Sequence, residues 1–170
     1  MMVMALSFII YHLSFTSAAA QVFIGCISYE GALRSMPQYT VMEAQMDTLR
    51  QAYNEELKRV EADFNQKYEA FLEGRKDFPR TILLKRQTEL QQLLERNVEF
   101  KEKSRQELEQ IRKDKLSPLN ARLSMAISAV ARRHQLAVVV NTDSNACPFI
   151  DPEMAIDLNE EVKEELSKVE

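Results

Sequence analysis

The sequence has no tryptophan, only three glycines, two cysteines and two histidines among 170 residues. Each scarcity removes a class of function. Gly25, Gly31 and Gly74 stand far apart, so no glycine-rich loop can cradle a phosphate. His12 lies in the N-terminal stretch, which leaves His134 as the only other histidine. No Cys/His cluster with metal-ligand spacing exists, and a lone histidine at a helix C-terminus reads as a cap favoured by the helix dipole. Asp143, Asp151, Glu153 and Asp157 form an acidic stretch. It lacks the alternating calcium-loop spacing with a central glycine, and reads as turn-forming acids and caps. No catalytic constellation remains, so the chain does not read as an enzyme, and no cofactor is implied. Two cysteines, Cys26 and Cys147, do not make a disulfide framework. They could pair in an oxidising compartment, with free, buried thiols as the default. No basic stripe interleaved with aromatics extends along the chain, which argues against nucleic acid as a partner.

What the sequence does have is a long helical hairpin. Gln38–Glu73 runs 36 positions without Gly or Pro, Arg80–Ser117 runs 38 more, and the breaker segment Gly74–Pro79 lies between them. Two helices of matched length joined by a tight turn lie antiparallel, each about 55 Å long at 1.5 Å per residue. In the first helix Met42, Met46, Leu49, Tyr53, Leu57, Val60, Phe64, Tyr68 and Phe71 keep an 11-residue repeat, which favours a nearly straight or slightly right-handed pairing over a left-handed supercoil. The second carries Leu83, Leu90, Leu94, Leu108 and Ile111 at compatible spacing. Asn97, Lys101, Ser104 and Arg105 occupy its middle, and such a seam should open or bend there. Residues 38–116 carry 16 basic and 16 acidic side chains, whereas residues 117–170 carry 5 and 9. At the tip, Glu73–Arg86, the balance is +3, from Arg75, Lys76, Arg80, Lys85 and Arg86. That cluster is either a solvated turn or a contact with anionic membrane surface.

The ends supply a small body. Met1–Phe15 is mostly apolar and Ala18–Ala20 offers small residues, the pattern of an export signal over residues 1–20 cleaved before Gln21. It lacks a basic n-region, and the apolar run is short of a comfortable membrane span. An uncleaved anchor is one alternative, and a lipid on Cys26 in a Phe23–Cys26 box is another. Val22–Ser28 reads as a short strand, and Tyr29–Met36 as two helical turns. Ser117-Pro118 marks a break or kink, after which the helix resumes to about Gln135. Ala137–Val140 reads as a strand and Cys147–Ile150 as its hairpin partner, with turn residues between them. Asn159 reads as the N-cap of a last helix. Residues 21–37 and 117–170 thus form the body and residues 38–116 the arm, with its tip at 74–79. Three short strands with open edges are marginal alone, and oligomerisation that closes a shared sheet is the physical remedy.

The order of leader, VFIGCISYEGALRSMPQY, long hairpin, LSPLNARLSMAISAVARRHQLAVVVNTD and DLNEEVKEEL resembles the Skp (OmpH-like) family of periplasmic chaperones. The resemblance covers essentially the whole mature chain, with Asn141-Thr142-Asp143 and Asp157-Leu158-Asn159 as its closest matches. It implies an α+β, mainly helical fold in which a long antiparallel α-hairpin, or tentacle, projects from a small β-containing trimerisation body. It also implies a homotrimer that holds unfolded outer-membrane β-barrel proteins, without ATP, in a cavity walled by the arms. On this reading, partly exposed apolar and aromatic groups of the arm would touch the client: Met46, Tyr53, Phe71, Phe78 and Phe100. For these groups the alternative, favoured for Tyr53 and Phe71, is that they simply zip the two helices together; Phe78 and Phe100 fit the seam less well. Arg75, Lys76, Arg80, Lys85 and Arg86 would touch the membrane. The alternative is a membrane-anchored coiled-coil tether, which shares the arm but has no use for the strands. The arm's neutrality departs from the often basic character of the family.

Overall fold

The computed structural model describes residues 23–144 and 146–168; the expected leader lies outside them. The elements are β1 (Ile24–Ile27), α1 (Tyr29–Arg34), α2 (Pro37–Gly74), α3 (Arg80–Arg133), β2 (Val139–Asn141), β3 (Ala155–Asp157) and α4 (Asn159–Ser167). β1 is the central strand of a three-stranded sheet of order β2-β1-β3. Both neighbours run parallel to it, with Cys26 opposite Val140 on one side and Asp157 on the other. The hairpin strand expected at Cys147–Ile150 is therefore not there, and the third strand is Ala155–Asp157. Pro148 has no N–H to give to a ladder, and the parallel arrangement requires a connection that returns to the other end of the sheet.

Alternation along β1 sets the two faces of this sheet. Gly25 and Ile27 point to the helices, where Ile27, Leu123, Val130, Leu158 and Val162 are almost wholly buried. Ile24 and Cys26 point the other way. Gly25 is required by close approach: a Cβ there would lie 2.8 Å from Leu158 Cδ1 and 2.9 Å from Leu136 Cδ1.

A polar network holds the C-terminal end of the sheet to the first helix. Ser28 Oγ accepts from the Gly31 amide (3.0 Å) and donates to Asp143 Oδ1 (2.6 Å), while Asp143 Oδ2 accepts from the Glu30 amide (2.7 Å). These bonds satisfy free N–H groups in the first turn of α1. They also hold the Asp143 carboxyl below the usual carboxylate range, the Glu30 amide first and the Ser28 hydroxyl second. Asn159 is not the N-cap of α4. Leu158 occupies that position without a side-chain bond. The Asn159 side chain instead accepts from the Ser28 amide (2.9 Å), and Asp157 Oδ1 accepts from the Asn159 amide (2.9 Å).

The break expected at Ser117-Pro118 does not occur, and α3 passes through it into the body. Proline deprives the Asp114 carbonyl of its helical donor, but both residues are exposed, so water can replace it. The helix ends in a Schellman turn: the Leu136 amide donates to the Ala131 carbonyl and the Gln135 amide to the Arg132 carbonyl. Gln135 accordingly adopts a left-handed φ of 57°. At the C-cap, His134 Nε2 faces both oxygens of Glu161 at 2.8 and 2.9 Å, which ties α3 to α4. Among the described residues, no helix is long and apolar enough to cross a membrane.

Candidate functional site

Most of the arm's surface is held by local ion pairs at i,i+3 and i,i+4 spacing, such as Arg59–Glu56 and Lys103–Glu99. Each such exposed pair is worth little. At the base, α2 and α3 are tied by Glu43–Arg112 (2.6 Å) and by Lys115 Nζ donating to Gln45 (2.7 Å). Partial burial pushes the Arg112 pKa down, but the hydrogen bonds of Glu43 and Tyr39 outweigh it and raise the pKa. At the tip the Phe78 ring folds back onto Phe71, with centroids 6.5 Å apart. It covers Gly74 so closely that a Cβ there would lie 2.3 Å from Phe78 Cζ.

The seam between the helices is better filled than the sequence suggests. On α3 it follows a seven-residue repeat, Leu83, Leu90, Asn97, Ser104 and Ile111, with Leu93 and Phe100 in the intervening positions; Ser104 is buried and the others half-buried. Asn97 Nδ2 donates to the Val60 carbonyl across the seam (3.0 Å), and Ser104 Oγ donates to the Phe100 carbonyl one turn back (2.7 Å). The Tyr53 ring packs against Phe100 at 6.4 Å. The Glu107 carboxylate beside its hydroxyl raises the Tyr53 pKa. Lys101 and Arg105 are exposed and outside the seam, Arg105 pairing with Glu102 and Glu109. The helix is unbroken through this region.

Of the five apolar groups expected to be partly exposed, Met46 (1% exposed) and Phe71 (8%) are buried in the seam. That corrects their expected exposure: both sit on the periodic stripe that α2 turns to α3. Tyr53, Phe78 and Phe100 are half-buried. The exposed apolar surface lies elsewhere. Tyr68, Leu72, Leu84, Leu94 and Val98 are 44–61% exposed, and at 100° per residue they fall on one flank of the hairpin. Leu94 and Val98 line a hollow of about 270 Å³ with Leu57, Val60 and Phe64, and the Tyr68 ring stacks on Phe64 at 5.9 Å. The seven-residue repeat was the signal that could have found this flank, because it leaves Leu94 outside the seam. The opposite flank has a hollow of about 350 Å³ where Phe71, Phe78, Leu90 and Leu93 meet Lys67, Arg86 and Arg96. At the tip Arg75, Lys76 and Arg80 are exposed and make no ion pair among the described residues. Lys85 and Arg86 share Glu89 at 3.7 and 3.5 Å.

A small parallel sheet thus carries a long helical hairpin. The family model described as outer membrane protein (OmpH-like) matches residues 23–166, which include the sheet, the whole hairpin and nearly all of α4. The chain belongs to the OmpH-like family. The OmpH-like fold is seen again in the crystal structure of a Caulobacter crescentus protein proposed as an outer membrane chaperone (OmpH-like). The two align with a TM-score of 0.67 at 19% identity, over 87% of this chain and 84% of that one. No curated protein sequence matches the chain significantly.

Proposed function

We propose that this OmpH-like protein is an ATP-independent holdase chaperone of the periplasm. It shelters unfolded outer-membrane β-barrel proteins in a cavity walled by its helical arms. The observation that carries the reading is the flank of Tyr68, Leu72, Leu84, Leu94 and Val98, apolar and exposed on an arm whose charges balance. A holdase without an energy source needs many weak, replaceable contacts, and such a stripe offers them. Tyr53, Phe78 and Phe100 are half-buried, and Met46 and Phe71 join only where the seam opens.

The working unit is a homotrimer, with the arm of residues 38–116 carried on a body of residues 21–37 and 117–170. In support, β2 and β3 are three-residue edge strands with no further neighbour among the described residues. Phe23, Met125, Val138 and Phe149 remain exposed on the body, Phe149 at 77%. Subunits that share a sheet would cover both features. Arg75, Lys76, Arg80, Lys85 and Arg86 form a basic tip that meets anionic lipid. Reversing their charges weakens binding to vesicles containing anionic lipid as high salt does; vesicle binding that ignores both changes refutes this contact. A membrane tether would need the arm but not the parallel sheet or its polar network.

The test is dilution of a urea-unfolded outer-membrane β-barrel protein into buffer without nucleotide, followed by light scattering. The intact protein suppresses aggregation near one trimer per client. Unaltered scattering at several-fold excess overturns the holdase reading.

A further inference from the structure

Cys26 and Cys147 are 121 positions apart in the sequence. Cys26 sits in the central strand, half-buried, on the face turned away from the helices. Its in-register partner on β2 is Val140, and in-register side chains of neighbouring strands share a face. The connection from β2 to β3 must travel from the C-terminal end of the sheet back to its N-terminal end, because both strands run parallel to β1. Helices fill one face, so it returns past the other. Cys147 belongs to this connection and lines a hollow with Val140 and Ile150. Its thiol is exposed and donates to the Phe149 carbonyl at 3.4 Å. Both cysteines are free thiols in this structure.

We infer that Cys26 and Cys147 are a disulfide-forming pair, a covalent modification site that fastens the β2–β3 connection to the central strand. The proposal rests on the periplasmic reading only for the supply of an oxidant, a disulfide of the thiol–disulfide exchange class. The order of attack follows from exposure. The Cys147 thiolate attacks the donor disulfide, forming a mixed disulfide and expelling one donor thiolate. The Cys26 thiolate then attacks the Cys147 sulfur and expels the second. Two electrons pass to the donor, and the two thiol protons end on the released thiols. Cys26 is the poorer first nucleophile. Burial pushes its pKa up first, then the Asp157 carboxylate and then the charge of Cys147 itself, so it ionises less readily than an open thiol. The bond would join the strand that precedes the arm to the segment that follows it.

The test uses the purified full-length protein, reduced and then equilibrated in mixtures of reduced and oxidised glutathione. Remaining thiols are trapped with N-ethylmaleimide, and intact mass and a non-reducing gel are read. As the oxidised fraction rises, both alkylation sites are lost together from a monomer-sized chain lighter by two hydrogens. Cys26→Ser and Cys147→Ser each keep one alkylation site or carry one glutathione. Two alkylated cysteines at every ratio, or cross-links found only between chains, overturn the inference. Because the buffer supplies the oxidant, failure here is a failure of the pairing and leaves the cellular location untouched.

Discussion

Gly25→Ala probes the packing on which the body depends. The added Cβ would lie 2.8 Å from Leu158 Cδ1, 2.9 Å from Leu136 Cδ1 and 3.1 Å from Val139 Cγ2, so three side chains must shift together. Overpacking of this kind costs about 1–3 kcal/mol. Replacing glycine restricts the unfolded chain and offsets about 0.4–1 kcal/mol of that. The expected net loss is about 1–2 kcal/mol, a fall in thermal midpoint of roughly 2–8 °C for a chain of this size. Urea unfolding followed by circular dichroism, at one fixed protein concentration, measures it. Leu136→Ala makes room for the new methyl group, so the double variant should lose less than the two single variants summed, by at least about 0.5 kcal/mol. Wild-type stability of Gly25→Ala, or strict additivity with Leu136→Ala, would refute the packing argument.

Gln135→Gly should stabilise the fold by about 0.5–1 kcal/mol, because the left-handed φ of 57° suits glycine at the end of a Schellman turn; an unchanged or lower urea midpoint contradicts it. Asp143 is held below the ordinary carboxylate range by the Glu30 amide and the Ser28 hydroxyl. Its contribution is therefore complete above about pH 4, its unfolded value, and is lost as the pH falls through the lower folded value. Asp143→Asn should flatten that acid limb of the stability curve, and an unchanged acid limb shows that the carboxylate does not hold α1.

The hairpin was legible because its helices lack interior Gly and Pro until Pro118 and because α2 keeps a helical apolar stripe. The apolar flank was not, since Leu94 fits a stripe of about 3.6 residues while α3 packs on a repeat of seven, which selects Leu93 instead. Met46 and Phe71 read as partly exposed client contacts as well as seam residues, and their periodicity places them in the seam. β3 carries a single β-branched residue, Ile156, and its strand conformation comes from pairing with β1, which no local propensity reveals. Asn141-Thr142-Asp143 and Asp157-Leu158-Asn159 stood out as motifs, but their tasks did not. Asp143 and Asn159 bond to Ser28 across 115 and 131 positions of sequence, and such partners appear only in the folded chain. Pro118 reads locally as a break and is tolerated where it and Asp114, whose carbonyl it orphans, are both exposed.

The central claim, that the arm shelters the client while the body only assembles it, is tested most directly by removing the arm. Deleting residues 51–106 and joining Arg50 to Glu107 through a short turn retains the ties of Glu43 to Arg112 and Gln45 to Lys115. The account predicts a shortened protein that remains trimeric by light scattering and no longer suppresses aggregation of the unfolded β-barrel client. A shortened trimer that protects as well as the full chain, or a shortened protein that is monomeric, would contradict it.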